Sequence, residues 1–150
     1  GFSRKIAGSM LTWAARLHEI GLDISHDGYQ RHGAYIAEHA DMPGFPRAEQ
    51  RFLAALIGGQ RHSITRAEFD MLPKAWQEAG LRLLMILRLA VLLNRSRKKL
   101  SHIPVRLQAG ADSLSISFDA DWLAANPLTI ADLECEQAFL EQVGYTLNIL

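Results

Sequence analysis

Histidines and carboxylates are concentrated in residues 17–39, LHEIGLDISHDGYQRHGAYIAEH, which hold four of the six histidines in the chain. The same stretch carries four carboxylates, Glu19, Asp23, Asp27 and Glu38. Imidazole and carboxylate groups are common ligands of divalent metal ions. A metal ion held by such groups lowers the pKa of a bound water, which then attacks a phosphorus or carbon centre. The segment therefore predicts a metal-dependent hydrolase site or the remains of one.

The elements that would position these groups are helices throughout the first hundred residues. Apolar residues recur at helical spacing before residue 21, and Gly21 is expected to close this first helix as its C-cap. Ser25 or Asp27 is expected to cap a second helix that runs to about His39, with Tyr35 and Ile36 on its inner side. A third helix is predicted from Arg47 to about Ile57, with a core stripe of four apolar residues. That stripe comprises Phe52, Leu53, Leu56 and Ile57.

The longest helix is predicted from about Pro73 to Arg97, and its apolar composition places it at the centre of a bundle. Beyond it the pattern changes to two alternating runs, IPVRLQA and SLSISF, which are typical of a β-hairpin. Asp119 is expected to cap a short helix, and Thr129 or Asp132 to begin a longer one that precedes a third strand, YTLNIL. The predicted fold is α+β: a helical bundle over residues 1–100, then a small antiparallel β-β-α-β domain over residues 101–150.

The formal net charge of zero conceals a strong asymmetry between these two parts. Residues 1–102 hold 15 of the 16 lysines and arginines and 9 of the 16 carboxylates, a net charge of +6; residues 103–150 carry −6. The first part is suited to an anionic partner. The alternative is that the two parts simply attract one another.

Three stretches resemble the C-terminal part of bacterial exopolyphosphatase and its guanosine-pentaphosphate phosphohydrolase relatives. They are WAARLHEIGLDISHDGYQRHGAYIAEHADMPGF, LRLAVLLNRSR and the strand–helix–strand tail. The resemblance implies an HD-like helical domain followed by a small C-terminal domain. It places the catalytic centre, a glutamate base and a magnesium ion, in two N-terminal domains that this sequence lacks. No catalytic residue and no cofactor are therefore expected in this chain, and the start GFSRKIAGSML suggests a piece of a longer protein.

The HD-like metal site implied by the resemblance is expected to be degenerate. His18 matches the motif histidine, but Glu19 stands in place of its aspartate, and His32 is the remaining candidate ligand. Gln60 occupies the position of a family histidine, and Val91 that of the closing aspartate. Because zinc sites normally use three or four protein ligands, metal binding should be weak. The favoured interpretation is that His18, Glu19 and His32 form a buried polar cluster joining the first two helices.

The resemblance implies that this part of an exopolyphosphatase binds the polyphosphate chain and supports a homodimer. Lysine and arginine side chains would pair with the phosphates and release counterions. The candidate residues are Arg31, Arg61, Arg66, Arg88, Arg95, Arg97, Lys98 and Lys99. Arg88 lies in an apolar helix and could instead form an ion pair with Glu19 or Glu38. Arg95, Arg97, Lys98 and Lys99 could instead be a simple solvated helix end.

The alternative function is a free-standing metal-dependent HD-type phosphohydrolase acting on a nucleotide such as pppGpp or ppGpp. Gln60 and Val91 argue against it. Nucleic-acid binding is ranked last, since no motif or stacking aromatic run supports it. No run of residues predicts a membrane span. The single Cys135 excludes an internal disulfide and is expected to be half-buried, and a cytoplasmic location is the default expectation.

Overall fold

The computed structural model of the chain describes residues 2–95 and 104–150. The chain forms two compact units, Gly1–Val91 and Leu92–Leu150. The predicted boundary near residue 100 remains a prediction, because it falls in the segment 96–103 outside the described residues.

Helices and a small sheet make up the described residues, as the predicted α+β class requires. The helices are α1 (Arg4–Leu17), α2 (Tyr29–His39), α3 (Arg47–Gly59), α4 (Ala67–Asp70), α5 (Lys74–Leu93), α6 (Ala120–Ala125) and α7 (Pro127–Glu141). The strands are β1 (Val105–Ala109), β2 (Ser113–Phe118) and β3 (Thr146–Ile149), and a 3-10 turn covers Ile20–Asp23.

The core of the first unit is built around α3, in which every residue from Phe52 to Ile57 is buried. The predicted stripe is confirmed, since Phe52, Leu53, Leu56 and Ile57 are all 0% exposed. Met10 and Ala14 of α1 are also buried, as are Leu81, Leu84 and Leu87 of α5. Burial of this apolar surface is the main stabilising term of the unit.

The first helix ends earlier than predicted. Ser3 caps its start by accepting a hydrogen bond from the Ile6 amide at 3.2 Å, and the last helical residue is Leu17. The prediction that Gly21 closes the helix was wrong, because Gly21 lies buried in the following 3-10 turn. A Cβ at Gly21 would lie 1.8 Å from the Tyr29 carbonyl oxygen and 2.6 Å from the Gly33 nitrogen. The glycine is needed for close approach of the turn to α2.

The second helix ends at His39, as predicted, but begins after a different cap. Its N-cap is Gly28, with φ +62°, a left-handed conformation that glycine adopts without strain. Ser25 and Asp27, the predicted caps, lie outside the helix. Tyr35 was predicted to face inward but is 63% exposed, and its ring stacks on His39 with centroids 4.3 Å apart.

A buried glutamine of α3 holds the C-terminal end of α2. Gln50 is 5% exposed, and its Nε2 lies 2.9, 3.1 and 2.7 Å from the carbonyl oxygens of Ala37, Glu38 and Ala40. Ala37 and Glu38 lie in the last turn of the helix and Ala40 is its C-cap, where no helical amide is available to these carbonyls. The two hydrogens of the Gln50 amide are shared among the three acceptors, and the side chain joins α2 to α3.

In the second unit β1 and β2 form the predicted antiparallel hairpin, with Leu107 opposite Ile116. Asp119 caps α6, as predicted, by accepting a hydrogen bond from the Asp121 amide at 3.0 Å. The longer helix α7 begins at Pro127, earlier than Thr129 or Asp132.

The sheet is not wholly antiparallel, which corrects the prediction. Its strand order is β1-β2-β3, and β3 pairs parallel to β2, with Leu114 opposite Leu147. The physical reason is the connection: α6 and α7 form a crossover long enough to return the chain to the end of the sheet where β2 begins. The alternating pattern of YTLNIL predicts a strand but carries no information about its direction.

Two side chains of apolar character, Trp13 and Cys135, are exposed. Trp13 is 42% exposed, with the Arg16 guanidinium 5.9 Å from its ring. Met10 and Ala14 take the inner face of α1, which leaves Trp13 at its edge. Cys135 is exposed and not half-buried. No helix in residues 2–95 or 104–150 is both long and apolar enough to cross a membrane.

Candidate functional site

The two candidate metal-binding histidines are hydrogen-bonded to backbone carbonyls of their own segments. His18 lies at the C-cap of α1, with Nδ1 2.6 Å from the Ala15 oxygen and Nε2 4.0 Å from Glu19 Oε1. His32 Nε2 lies 3.1 Å from the Asp27 oxygen. A ring nitrogen that donates to a carbonyl carries a proton and has no lone pair for a metal. Each histidine therefore has one nitrogen already committed.

The residues present do not fit an HD-type metal site. Within residues 2–95 and 104–150, no three histidine, cysteine or carboxylate side chains are grouped closely enough to hold a metal ion. Val91, at the position of the closing aspartate, offers only an aliphatic side chain on α5. The donor set supplies no basis for a metal-dependent step at His18, Glu19 and His32.

The tie between α1 and its neighbours is made by Gln60, which we expected only as a substitution for a histidine. Gln60 follows α3 directly, is 2% exposed, and donates from Nε2 to the His18 carbonyl oxygen at 2.5 Å. The predicted buried polar cluster of His18, Glu19 and His32 was wrong: Glu19 is exposed, and the two histidines are only half-buried. Each histidine ring instead bonds to a carbonyl of its own segment. The buried polar side chain at this place is Gln60, and the available signal was a polar residue shortly after the buried stripe of α3.

Arg88 holds the loop that follows α3. Its side chain is on α5 and 2% exposed, with Nη1 donating to the Gly59 carbonyl oxygen at 2.6 Å and Nη2 to the His62 carbonyl oxygen at 2.8 Å. A buried guanidinium requires such acceptors. His62 has φ +58°, in the left-handed region that a residue with a side chain rarely adopts.

Arg61 projects from this loop over the first residue of α2. Its Cζ lies 4.6 Å from the centroid of the Tyr29 ring, a cation–π geometry, and His26 packs near the same ring with centroids 6.1 Å apart. Tyr29 is buried and Arg61 is half-buried. The guanidinium is therefore fixed beside the start of the helix.

Arg31 reaches the same helix end from within its first turn. Its Nη2 and Nε lie 2.8 and 3.1 Å from the position that a Cβ of residue 28 would occupy, so the guanidinium lies over Gly28. We call Arg31 and Arg61 the arginine pair. Within the described residues, neither member forms an ion pair or a side-chain hydrogen bond.

The arginine pair and the helix end together favour an anion. Gly28 offers no side chain to accept from the first amides of α2, and the N-terminal end of a helix carries a partial positive charge. Arginine is the side chain best suited to bidentate phosphate recognition. The N-terminal end of α2 therefore has, close by, the kinds of donor that a phosphate group accepts from: guanidinium groups and helix amides.

The other basic candidates are placed elsewhere or fall outside the described residues. Arg66 pairs with Glu78. Arg95, in the second unit, has Nη1 3.7 Å from Asp132 Oδ2. Arg97, Lys98 and Lys99 lie outside the described residues, so their role as phosphate ligands stays a prediction.

An acidic pair occupies the opposite end of α2. Burial and, second, the negative charge of Glu38 raise the pKa of Glu68 above its usual value. Glu68 Oε2 lies 3.5 Å from the position of a Cβ on Gly58, so the carboxylate rests against α3. The C-terminal end of α2 therefore carries carboxylates, whereas the arginine pair lies at the N-terminal end.

Comparison with known proteins agrees with the resemblance in the sequence. The family described as Ppx/GppA phosphatase, domain III, matches residues 3–137. A guanosine-5'-triphosphate,3'-diphosphate pyrophosphatase of Vibrio cholerae is 38% identical over 146 residues, which cover 95% of this chain and 28% of the relative. The protein of the same name from Vibrio campbellii is 39% identical over 144 residues, covering 94% of this chain and 28% of that relative.

The match to the family extends through the first unit and well into the second. The chain spans about 28% of the length of the curated relatives it matches. The chain belongs to the Ppx/GppA phosphatase family.

Proposed function

We propose that this chain is the phosphate-binding, non-catalytic part of a phosphatase that acts on guanosine pentaphosphate. One observation supports it above all: two guanidinium groups without ion-pair partners in the described residues lie at the N-terminal end of α2, Arg31 at Gly28 and Arg61 over the Tyr29 ring, and no side chain caps that end. The relatives from Vibrio are named as pyrophosphatases of guanosine 5'-triphosphate 3'-diphosphate. The substrate is inferred from those names, and the phosphate-binding role from the arginine pair.

Catalysis is assigned to the remainder of the parent protein. The chain corresponds to little more than a quarter of its relatives, and the histidines and carboxylates of residues 2–95 and 104–150 do not form a metal site. The arginine pair would hold phosphate groups that are not being cleaved. Binding energy from such remote groups positions a substrate for reaction elsewhere.

Inorganic polyphosphate is the second candidate ligand. The net charge of +6 over residues 1–102 extends far beyond the arginine pair, as binding of a long polyanion would require. Polyphosphate would also use the predicted cluster Arg97, Lys98 and Lys99. If polyphosphate is the ligand, affinity should keep rising with the number of phosphates. If guanosine pentaphosphate is the ligand, it should not.

The test is a titration of guanosine pentaphosphate, and of polyphosphates of increasing length, onto the chain at two salt concentrations. Arg31→Gln combined with Arg61→Gln should weaken binding about tenfold or more and reduce the salt slope by about 1 to 2. The matched control is Arg4→Gln combined with Arg51→Gln, which removes the same charge from two other exposed positions.

Equal losses in the two double variants would overturn the proposal, because they would show that net charge alone governs binding. A parallel series with EDTA tests the alternative of a free-standing hydrolase. Cleavage of the nucleotide that EDTA abolishes would contradict the assignment of catalysis to the rest of the protein.

A further inference from the structure

We propose that Arg88 is a positioning residue, which fixes the loop from Gly59 to His62 so that Arg61 faces the N-terminal end of α2. This inference rests on the proposed function, since it explains how one member of the arginine pair is held in place. It assigns to Arg88 a role different from that of a direct phosphate ligand.

Arg88 forms two hydrogen bonds to the backbone of one loop. Arg88 donates from Nη1 to Gly59 and from Nη2 to His62, the residues on either side of Gln60 and Arg61. A planar guanidinium presents its donors as a rigid fork. The distance between these two carbonyls is therefore fixed by one side chain, and the backbone of Arg61 lies between them.

Gln60 anchors the same loop from another direction. Its buried amide donates to the His18 carbonyl at the end of α1. Gln60, the residue before Arg61, is thus bonded to the end of α1. The carbonyls of Gly59 and His62, on either side of Gln60 and Arg61, are bonded to Arg88 of α5. Because these contacts already restrict the backbone of the loop, a ligand that binds Arg61 has little loop motion to suppress, which lowers the entropic cost of binding.

Arg88 is more deeply buried than Arg61. At 2% exposure its guanidinium is inside the first unit, whereas Arg61 is half-buried and reaches the Tyr29 ring. The left-handed backbone of His62, whose carbonyl Arg88 binds, indicates a loop conformation that the surrounding contacts must maintain. Arg88 supplies one of these contacts.

A double-mutant cycle on the chain tests the inference, with guanosine pentaphosphate as the probe. Arg88→Lys keeps the charge but loses the fork that reaches both carbonyls. It should weaken binding about three- to tenfold in the native background and less than about twofold in the Arg61→Gln background. Arg82→Lys, on an exposed position of the same helix, is the control and should leave affinity unchanged.

The outcomes separate the two proposals. If Arg61→Gln does not weaken binding, the proposed function fails. If Arg61→Gln weakens binding but Arg88→Lys causes the same further loss in both backgrounds, Arg88 acts independently of Arg61 and the positioning role is wrong. A loss of thermal stability shared by both backgrounds is a structural effect and does not enter the comparison.

Gln60→Met provides a second cycle should Arg88→Lys fail to fold, because it releases the loop from α1 and leaves Arg88 intact. Its effect on affinity should likewise disappear in the Arg61→Gln background. Persistence of the full effect there would contradict the view that this loop serves Arg61.

Discussion

The backbone groups at the two ends of α2 have opposite surroundings. At the C-terminal end the buried amide of Gln50 lies within hydrogen-bonding distance of three carbonyl oxygens. At the N-terminal end the cap is Gly28, which has no side chain to accept from the helix amides; Arg31 lies over Gly28 and Arg61 over the Tyr29 ring. A buried side chain thus completes the C-terminal end, whereas no side chain accepts from the first amides of the N-terminal end.

Both ends also carry charges of the sign that the helix dipole disfavours. Arg31 lies in the first turn and Glu38 in the last turn. At the N-terminal end a bound phosphate would offset the unfavourable interaction of Arg31 with the helix dipole, because a phosphate interacts favourably with both the dipole and the arginines. At the C-terminal end Glu68 adds a second carboxylate, and burial and, second, the charge of Glu38 raise the pKa of Glu68. The N-terminal end of α2 is therefore suited to a ligand, and the C-terminal end to packing within the fold.

The largest effect on stability is expected from removing the Gln50 amide, which holds the C-terminal end of α2. Gln50→Leu would leave carbonyls of Ala37, Glu38 and Ala40 buried or half-buried without this donor, at a cost of about 2 kcal/mol or more in the free energy of unfolding. Urea denaturation would measure it. Gln142→Leu, at an exposed helix end in the second unit, is the control. Equal losses in both variants would show that the Gln50 contacts contribute little.

A smaller change of opposite sign is expected at the N-terminal end. Arg31→Glu places a negative charge in the first turn of α2 and should stabilise the chain by about 0.3–1 kcal/mol at low salt. The same substitution should weaken phosphate binding at least as much as Arg31→Gln. Thermal unfolding and titration on one sample would measure both. A variant that loses stability would contradict the idea that Arg31 interacts unfavourably with the helix dipole.

The smallest effect concerns Glu68, whose pKa is raised in the folded chain. A raised folded pKa means that the stabilising contribution of the protonated form is complete below the unfolded value of 4.5. That contribution is lost as pH rises through the folded pKa. Glu68→Gln should therefore stabilise the chain at pH 7 by less than about 0.5 kcal/mol, and the gain should vanish at acid pH.

Unfolding midpoints of the native chain and Glu68→Gln between pH 4 and pH 8 would check this sign. Glu134→Gln, an exposed carboxylate in the second unit, serves as the control. A gain that grows as pH falls would refute the assignment.

Much of the fold could be predicted because apolar spacing reports which face of a helix is buried. The stripe on α3 and the hairpin of β1 and β2 are examples. The start of α2 could not be located, since Ser25 and Asp27 are better caps by composition than Gly28. The direction of β3 depends on the path of the crossover, which no local pattern encodes.

The candidate site was predictable only as a set of residue types. Arg31 and Arg61 were identified as basic candidates, but thirty residues separate them, and their convergence on α2 depends on the packing of α2 against α3. Arg88 was expected to need a partner, and the two loop carbonyls that it binds could not be inferred from composition. Gln60 was recognised as a replacement for a histidine, while its bond to the His18 carbonyl requires the fold.

The contact between Gly21 and α2 limits how this domain can change during evolution. An added Cβ at residue 21 would meet the carbonyl oxygen of Tyr29 and the amide nitrogen of Gly33, atoms that every amino acid at those positions would also possess. A larger residue at 21 therefore cannot be offset by a smaller side chain opposite, as happens in ordinary cores. Accommodating it would require the turn and the helix to move apart, and with them the helix end that carries Tyr29 and the arginine pair.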